Sequence, residues 1–240
     1  MSLPWDFDFL HLFSVALVFF MWWLYGPILR LLGRGTLNAQ LHVVRLKWMR
    51  MLMHSRRENR VFDAILLGQV SSAMSFFGSG SLIVLAGLVG TLASINHVHA
   101  SLTQMAFFPP ISLPLFTVNF AAITAIMAIS FFSLTYALRK LAYTLAMIGA
   151  LDEAPAATPQ AQVMVAQVAT VLTESLKSMN NGTRGFYFAV AGLFLFAGPL
   201  VSIVMTLGMS VLLYYRQGLS TEALAIERYV NAMIEEGIEG

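Results

Sequence analysis

Three long stretches of this chain carry no charged residue: Phe9–Leu29, Ala64–Leu138 and Gly185–Tyr215. A water-soluble fold cannot cover a surface from such runs. A bilayer requires them, because about 20 apolar residues span its hydrocarbon core. Only 11% of the residues are charged, whereas soluble domains carry about 25%. These runs predict an all-α polytopic membrane protein, one membrane domain over 1–240, with four transmembrane helices and amphipathic cytoplasmic helices.

The first span is expected at about 9–29. Trp22, Trp23 and Tyr25 sit at its far end, as interfacial aromatics do. No basic region or small-residue cleavage site marks a signal peptide, so this span reads as retained. The second span is expected at about 71–94 and is rich in Ser and Gly. The third falls at about 115–138 and closes on Arg139 and Lys140, with a helical extension over 142–150. The fourth run, 185–215, has 31 residues, about 46 Å of straight helix. That exceeds the bilayer core, so a tilt or a bend at Gly198-Pro199 is expected. Residues 179–183 read as a polar turn before it.

Two segments outside the spans are amphipathic, 36–62 and 160–178. In the first, Leu37, Leu41, Val44, Trp48 and Met51 recur at steps of three and four, so they are expected on one face. Arg45, Lys47, Arg50, Arg56 and Arg57 lie mostly elsewhere and are expected at anionic lipid headgroups. Packing of this helix on the ends of the spans is an equally good reading. Residues 95–114 read as an interfacial or shallow re-entrant loop.

Lys and Arg are distributed unevenly. There are none before the first span, eight in the first loop, none in the second, four in the third and two in the tail. Basic loops stay cytoplasmic. The chain is therefore expected in a membrane, the bacterial inner (cytoplasmic) membrane, with both termini on the non-cytoplasmic side.

Three stretches taken together resemble a known family: Arg56–Ala64 with Lys47-Trp48-Met49 upstream, Ser75-Phe76-Phe77-Gly78-Ser79, and Met179–Ala189. They are similar to domain-of-unknown-function family 599, four-span bacterial and plant membrane proteins. The resemblance covers about Arg30 to Tyr215. It implies a four-span helical protein and no particular activity. The run Ile129–Tyr136 departs from the family pattern, which carries more aromatic and polar residues before Arg139.

Candidate functional residues fall into groups. Glu58, Asn59, Arg60, Asp63, Arg139, Lys140, Asn181 and Arg184 map to the cytoplasmic ends of the spans. Desolvated charges need partners, so Asp63 and Glu58 are expected to pair with Arg139 or Arg184 and fix how the spans dock. A cytoplasmic gate or anion site is the functional alternative. Ser71, Ser75, Ser79 and Thr91 are read as one stripe, for helix packing or for lining a pore. Asn119 is a polar side chain inside a span, placed to bond a neighbouring helix. His97 and His99, with His11 and Asp6 or Asp8, give a weak metal hint, short of the three or four ligands a zinc site needs.

No ionisable residue sits inside a span to serve as a coupling acid or base, and there is no phosphate-binding glycine loop. The expected protein is non-enzymatic, with no cofactor, no metal and no nucleic-acid partner. It is expected to be an accessory or scaffold subunit, as a homo-oligomer or within a larger membrane complex. The alternative is a homo-oligomeric pore for ions or small solutes.

Overall fold

The structure is a computed structural model, and it describes residues 6, 8–31, 36–54, 60–104, 110–151 and 158–235. Among these the chain is helical and without strands: α1 (Phe9–Leu31), α2 (Leu37–Gln40), α3 (His42–His54), α4 (Val61–Ala93), α5 (Ile95–Thr103), α6 (Leu113–Gly149), α7 (Pro159–Leu193), α8 (Pro199–Gly218) and α9 (Thr221–Glu235). Four stretches are long and apolar enough to cross a membrane, Phe9–Ile28, Val61–Ala93, Leu113–Gly149 and Pro199–Glu235. The all-α class and the four candidate spans agree with the sequence.

The elements run longer than the apolar runs that nucleate them. α4 starts ten residues before the expected span. α6 continues past Arg139 through the expected extension. The polar turn expected at 179–183 is absent, because α7 passes through Asn180-Asn181-Gly182 unbroken. Tertiary packing overrides weak local propensity here: Gly182 and Gly185 are both buried.

The chain forms two compact units. The first comprises Met1–Ile28, Ser79–Phe132 and Gly182–Tyr214. Its core is Val18, Ile123, Ile126, Met127, Phe188 and Ala189, with Trp22 and Leu213 packed against it. α6 and α7 approach closely here. A Cβ on Gly185 would overlap the side chain of Ser130, and one on Gly192 would meet Ile123 at 3.1 Å.

The expected bend at Gly198-Pro199 is a full interruption. A 3-10 turn, Phe194–Ala197, ends α7, and Gly198 takes φ +111°. L-residues with a Cβ rarely adopt that conformation, and glycine adopts it freely. Pro199 then opens α8, a favoured first helical position. Beyond the turn the chain doubles back. Leu195 meets Asn119 near the start of α6, while Arg184 before the turn and Leu213 after it both contact Tyr25.

The second unit comprises Leu29–Gly78, Ser133–Asn181 and Tyr215–Gly240. Leu46, Met49, Leu52 and Met53 of α3 pack onto Leu67 and Met74 of α4, Ala137 and Leu141 of α6, and Val165, Val168 and Leu172 of α7. The basic segment is therefore docked on helix ends. Its buried face differs from the one expected: Met51 is 62% exposed, and Leu37, Leu41, Val44 and Trp48 are half-buried. Within α3 the inward side is taken by Leu46, Met49, Leu52 and Met53, about a third of a turn from Val44, Trp48 and Met51. α9 packs against α2 and α3. The tail thus lies beside the first basic loop, whereas the sequence reading put the two on opposite sides.

Replacing Gly185 by Ala is expected to destabilise the protein by about 1–3 kcal/mol, the usual range for overpacking. Adding Ser130→Gly should recover most of the loss. Thermal unfolding of the four variants of this cycle in detergent measures it.

Candidate functional site

Two buried polar side chains of the second unit, Asn38 and Arg45, meet beside α3. Arg45 is buried, and its guanidinium donates to the Asn38 carbonyl at 2.9 Å, to Asn38 Oδ1 at 2.7 Å and to Thr173 Oγ1 at 3.2 Å. Asn38 Nδ2 donates to the Thr173 carbonyl at 3.2 Å. Thr173 gives its own proton to Ala169, so the 3.0 Å contact with His42 is met by a proton on His42 Nδ1. Burial pushes the Arg45 guanidinium down to about 10. This residue was expected at lipid headgroups. It is instead an internal brace between α2, α3 and α7.

Asp63 was expected to pair with Arg139 or Arg184. Its carboxylate accepts the indole N–H of Trp48 at 2.6 Å. Arg139 donates to Tyr143 one turn on, at the exposed side of α6. Arg60 donates to the Leu151 carbonyl at 3.3 Å. Lys140 reaches Ser178 Oγ at 2.9 Å and Glu174 at 4.0 Å, and Glu174 also takes Lys177 at 2.8 Å. Asn181 is exposed. Among the described residues, Asp63 and Lys140 thus make contacts between helices, and Arg139 makes one within α6. Glu58 and Asn59, like Arg56 and Arg57, lie outside the described residues. Lys47 is half-buried and Arg50 exposed on α3.

In the first unit Arg184 lies over the ring of Tyr25, 4.3 Å from its centroid. A cation over an aromatic face is held by the ring quadrupole. Tyr25 in turn donates to the Leu213 carbonyl at 2.8 Å. One aromatic side chain therefore links α1, α7 and α8. At the opposite end of this unit, Asp6 accepts the Ser112 backbone N–H at 2.6 Å, and Asn119 donates to the Leu195 carbonyl at 3.3 Å. Burial pushes the Asp6 carboxyl up, but the Ser112 hydrogen bonds and the nearby His11 outweigh it and hold it below its usual value. His99 contacts the Ile111 carbonyl at 2.8 Å and stands edge-on to Phe116. His97 is exposed. Among the described residues no three His, Cys, Asp or Glu come together as metal ligands.

α4 packs along one narrow line, Leu67, Met74, Gly78 and Ser81. Only 11% of its apolar window is buried, against 44% for α6. Its exposed surface has two characters. Gly68, Ser72, Ser75, Ser79, Ala86 and Gly90 are all exposed and recur at helical spacing. Leu82 and Ile83 interrupt that stripe, and Leu66, Phe77 and Val84 are exposed nearly half a turn away. Ser71 is half-buried, and Ser75 and Ser79 face outward. Thr91 does not continue their stripe. Twelve residues past Ser79 it stands roughly a third of a turn away, bonded to the Gly87 carbonyl at 2.8 Å.

The sequence matches the family described as "Protein of unknown function, DUF599" over residues 12–222. The chain belongs to this family. No curated protein and no solved structure matches it. The DUF599 match spans all three stretches on which the resemblance rested. In the structure they become the α3–α4 contact through Trp48 and Asp63, the outward face of α4, and the stretch of α7 that holds Gly185 and Arg184. Sequence reasoning missed the Arg45–Asn38–Thr173 brace. Its signal is an Asn-x6-Arg spacing across a helix break, which no periodicity reveals.

The Trp48–Asp63 bond makes a prediction opposite to a charge pair. Trp48→Phe and Asp63→Ala should each cost about 1–3 kcal/mol, and the double variant little more than either alone. Asp63→Asn keeps an acceptor and should cost less than Asp63→Ala. Thermal melts of the detergent-solubilised variants read the series; equal losses for Asn and Ala would restore the charge-pair reading.

Proposed function

We propose that this DUF599 chain is a non-enzymatic scaffold or accessory subunit that joins a helical membrane assembly through α4. The observation that carries this reading is the small-residue face of that helix. Without a hydrophobic driving force in lipid, helices associate by close backbone approach, and Gly, Ala and Ser permit it. The face of Gly68, Ser72, Ser75, Ser79, Ala86 and Gly90 is exposed in the single chain, and a Cβ added at Gly68 or Gly90 meets nothing within 4 Å. The bulky face of Leu66, Phe77 and Val84 suits lipid tails. Lys47 and Arg50 on α3 are the basic groups proposed to meet anionic headgroups.

The topology we propose has five crossings. The end of α7 from Gly182 and the 3-10 turn together extend about 26 Å, close to the hydrocarbon thickness. α8 then returns. This supports a C-terminus on the side of the basic first loop, which the Lys and Arg distribution assigns to the cytoplasm of a bacterial inner membrane, and an N-terminus on the other side. An oligomeric pore is the second reading, favoured by the outward-facing hydroxyls of Ser75 and Ser79.

The chain has no cysteine, so single-cysteine variants are clean probes. Ser75→Cys and Ser79→Cys are expected to form disulfide-linked dimers on mild oxidation in membranes, and Val84→Cys on the other side of the helix much less. Cross-linking that ignores the face, or none at Ser75 and Ser79, contradicts assembly of copies through α4. Conductance of the cross-linked protein in planar bilayers separates pore from scaffold.

A further inference from the structure

Arg184 is a cation without a counterion in its own unit. It is the sole Lys or Arg of the first unit, whose sole acids are Asp6 and Asp8. Those two lie at the start of α1, and about 25 Å of helix separates Asp8 from Tyr25. The sole acid of α7 is Glu174, about 15 Å of helix before Arg184. Its carboxylate already accepts Lys177 at 2.8 Å.

Tyr25 seats the guanidinium without saturating it. The guanidinium carbon stands over the ring, 4.3 Å from its centroid. Such a contact is satisfied by charge, and it leaves the N–H donors of the guanidinium fork to other partners. Among the described residues no acceptor takes them. The ring itself is fixed, because Tyr25 is buried and donates its hydroxyl proton to the Leu213 carbonyl at 2.8 Å. The seat therefore lies where α1, α7 and α8 meet, and Arg184 on it is half-buried, still open to a ligand.

The depth of this seat names the ligand. Tyr25 lies near the end of the apolar stretch Phe9–Ile28, and Arg184 immediately precedes the uncharged run that begins at Gly185. Trp23, two residues before Tyr25, and Tyr187, one turn after Arg184, are both exposed. Exposed Trp and Tyr at the ends of spans mark the headgroup level of a bilayer. A lipid phosphate sits at that level and supplies both missing things, a negative charge and acceptor oxygens that fit a guanidinium fork. We propose that Arg184, seated on Tyr25 between α1, α7 and α8, binds the phosphate of an anionic membrane lipid. This site is independent of assembly through α4.

The test is thermal unfolding of the purified, delipidated full chain in mild detergent. The chain is titrated with phosphatidylglycerol, with phosphatidylcholine or with inorganic phosphate at equal ionic strength. Phosphatidylglycerol should raise Tm saturably, and native mass spectrometry should show it retained in preference to phosphatidylcholine. Arg184→Gln should raise the midpoint concentration about tenfold, through loss of a charge-assisted contact. Arg184→Lys keeps a cation for the Tyr25 ring, and should raise the midpoint severalfold because an ammonium has no fork. Arg139→Gln, on the exposed side of α6, should leave it unchanged. A response to phosphatidylglycerol retained in full by both Arg184 variants overturns the site. An equal response to phosphatidylcholine overturns the anionic lipid, and an equal response to inorganic phosphate overturns the lipid source in favour of a free anion.

Discussion

A chain inside hydrocarbon can break its helix only where the released backbone groups find partners or line a polar space. At Phe194–Gly198 a released backbone group finds its partner. Asn119 takes the Leu195 carbonyl, glycine supplies the required φ, and proline restarts the helix without an orphan N–H. The reversal brings α8 back beside Tyr25.

Charges near the spans are handled by neutral partners more than by ion pairs. Arg184 uses an aromatic face, Asp63 an indole N–H, and Arg45 an amide and a hydroxyl. A desolvated ion pair gains little unless its geometry is excellent. A single charge satisfied by several dipoles avoids desolvating a second one. The same economy makes each of these contacts a fastening between named helices: α1 to α7, α3 to α4, and α3 to α2 and α7.

The spans were legible because their signal is long. A run of 20 or more uncharged residues tolerates errors of several positions. The Gly198-Pro199 break was legible as a location but not as a reversal. A glycine-proline pair predicts an interruption, whereas the direction afterwards depends on contacts with Asn119 and Tyr25, 79 and 173 positions earlier in the chain. The face of α3 was misread because Leu46, Met49, Leu52 and Met53 turn inward onto α4, α6 and α7, about a third of a turn from Val44, Trp48 and Met51. The charge cluster was misread for a related reason. Residues at the same membrane depth share a level, but which neighbours they meet depends on rotation about each helix axis. Trp48 was visible as an aromatic at an interface; that its N–H would claim Asp63 was not. The family resemblance was legible from three short motifs, all inside the matched residues 12–222.

The central claim is that the chain turns back at Gly198 and ends on the side of its basic first loop. Labelling single cysteines with a membrane-impermeant maleimide tests it most directly, in right-side-out and inverted vesicles, at Asp8, Arg50 and Glu235. The account predicts that Arg50→Cys and Glu235→Cys label together in one vesicle orientation and Asp8→Cys in the other. Labelling of Glu235→Cys together with Asp8→Cys, opposite to Arg50→Cys, would contradict it.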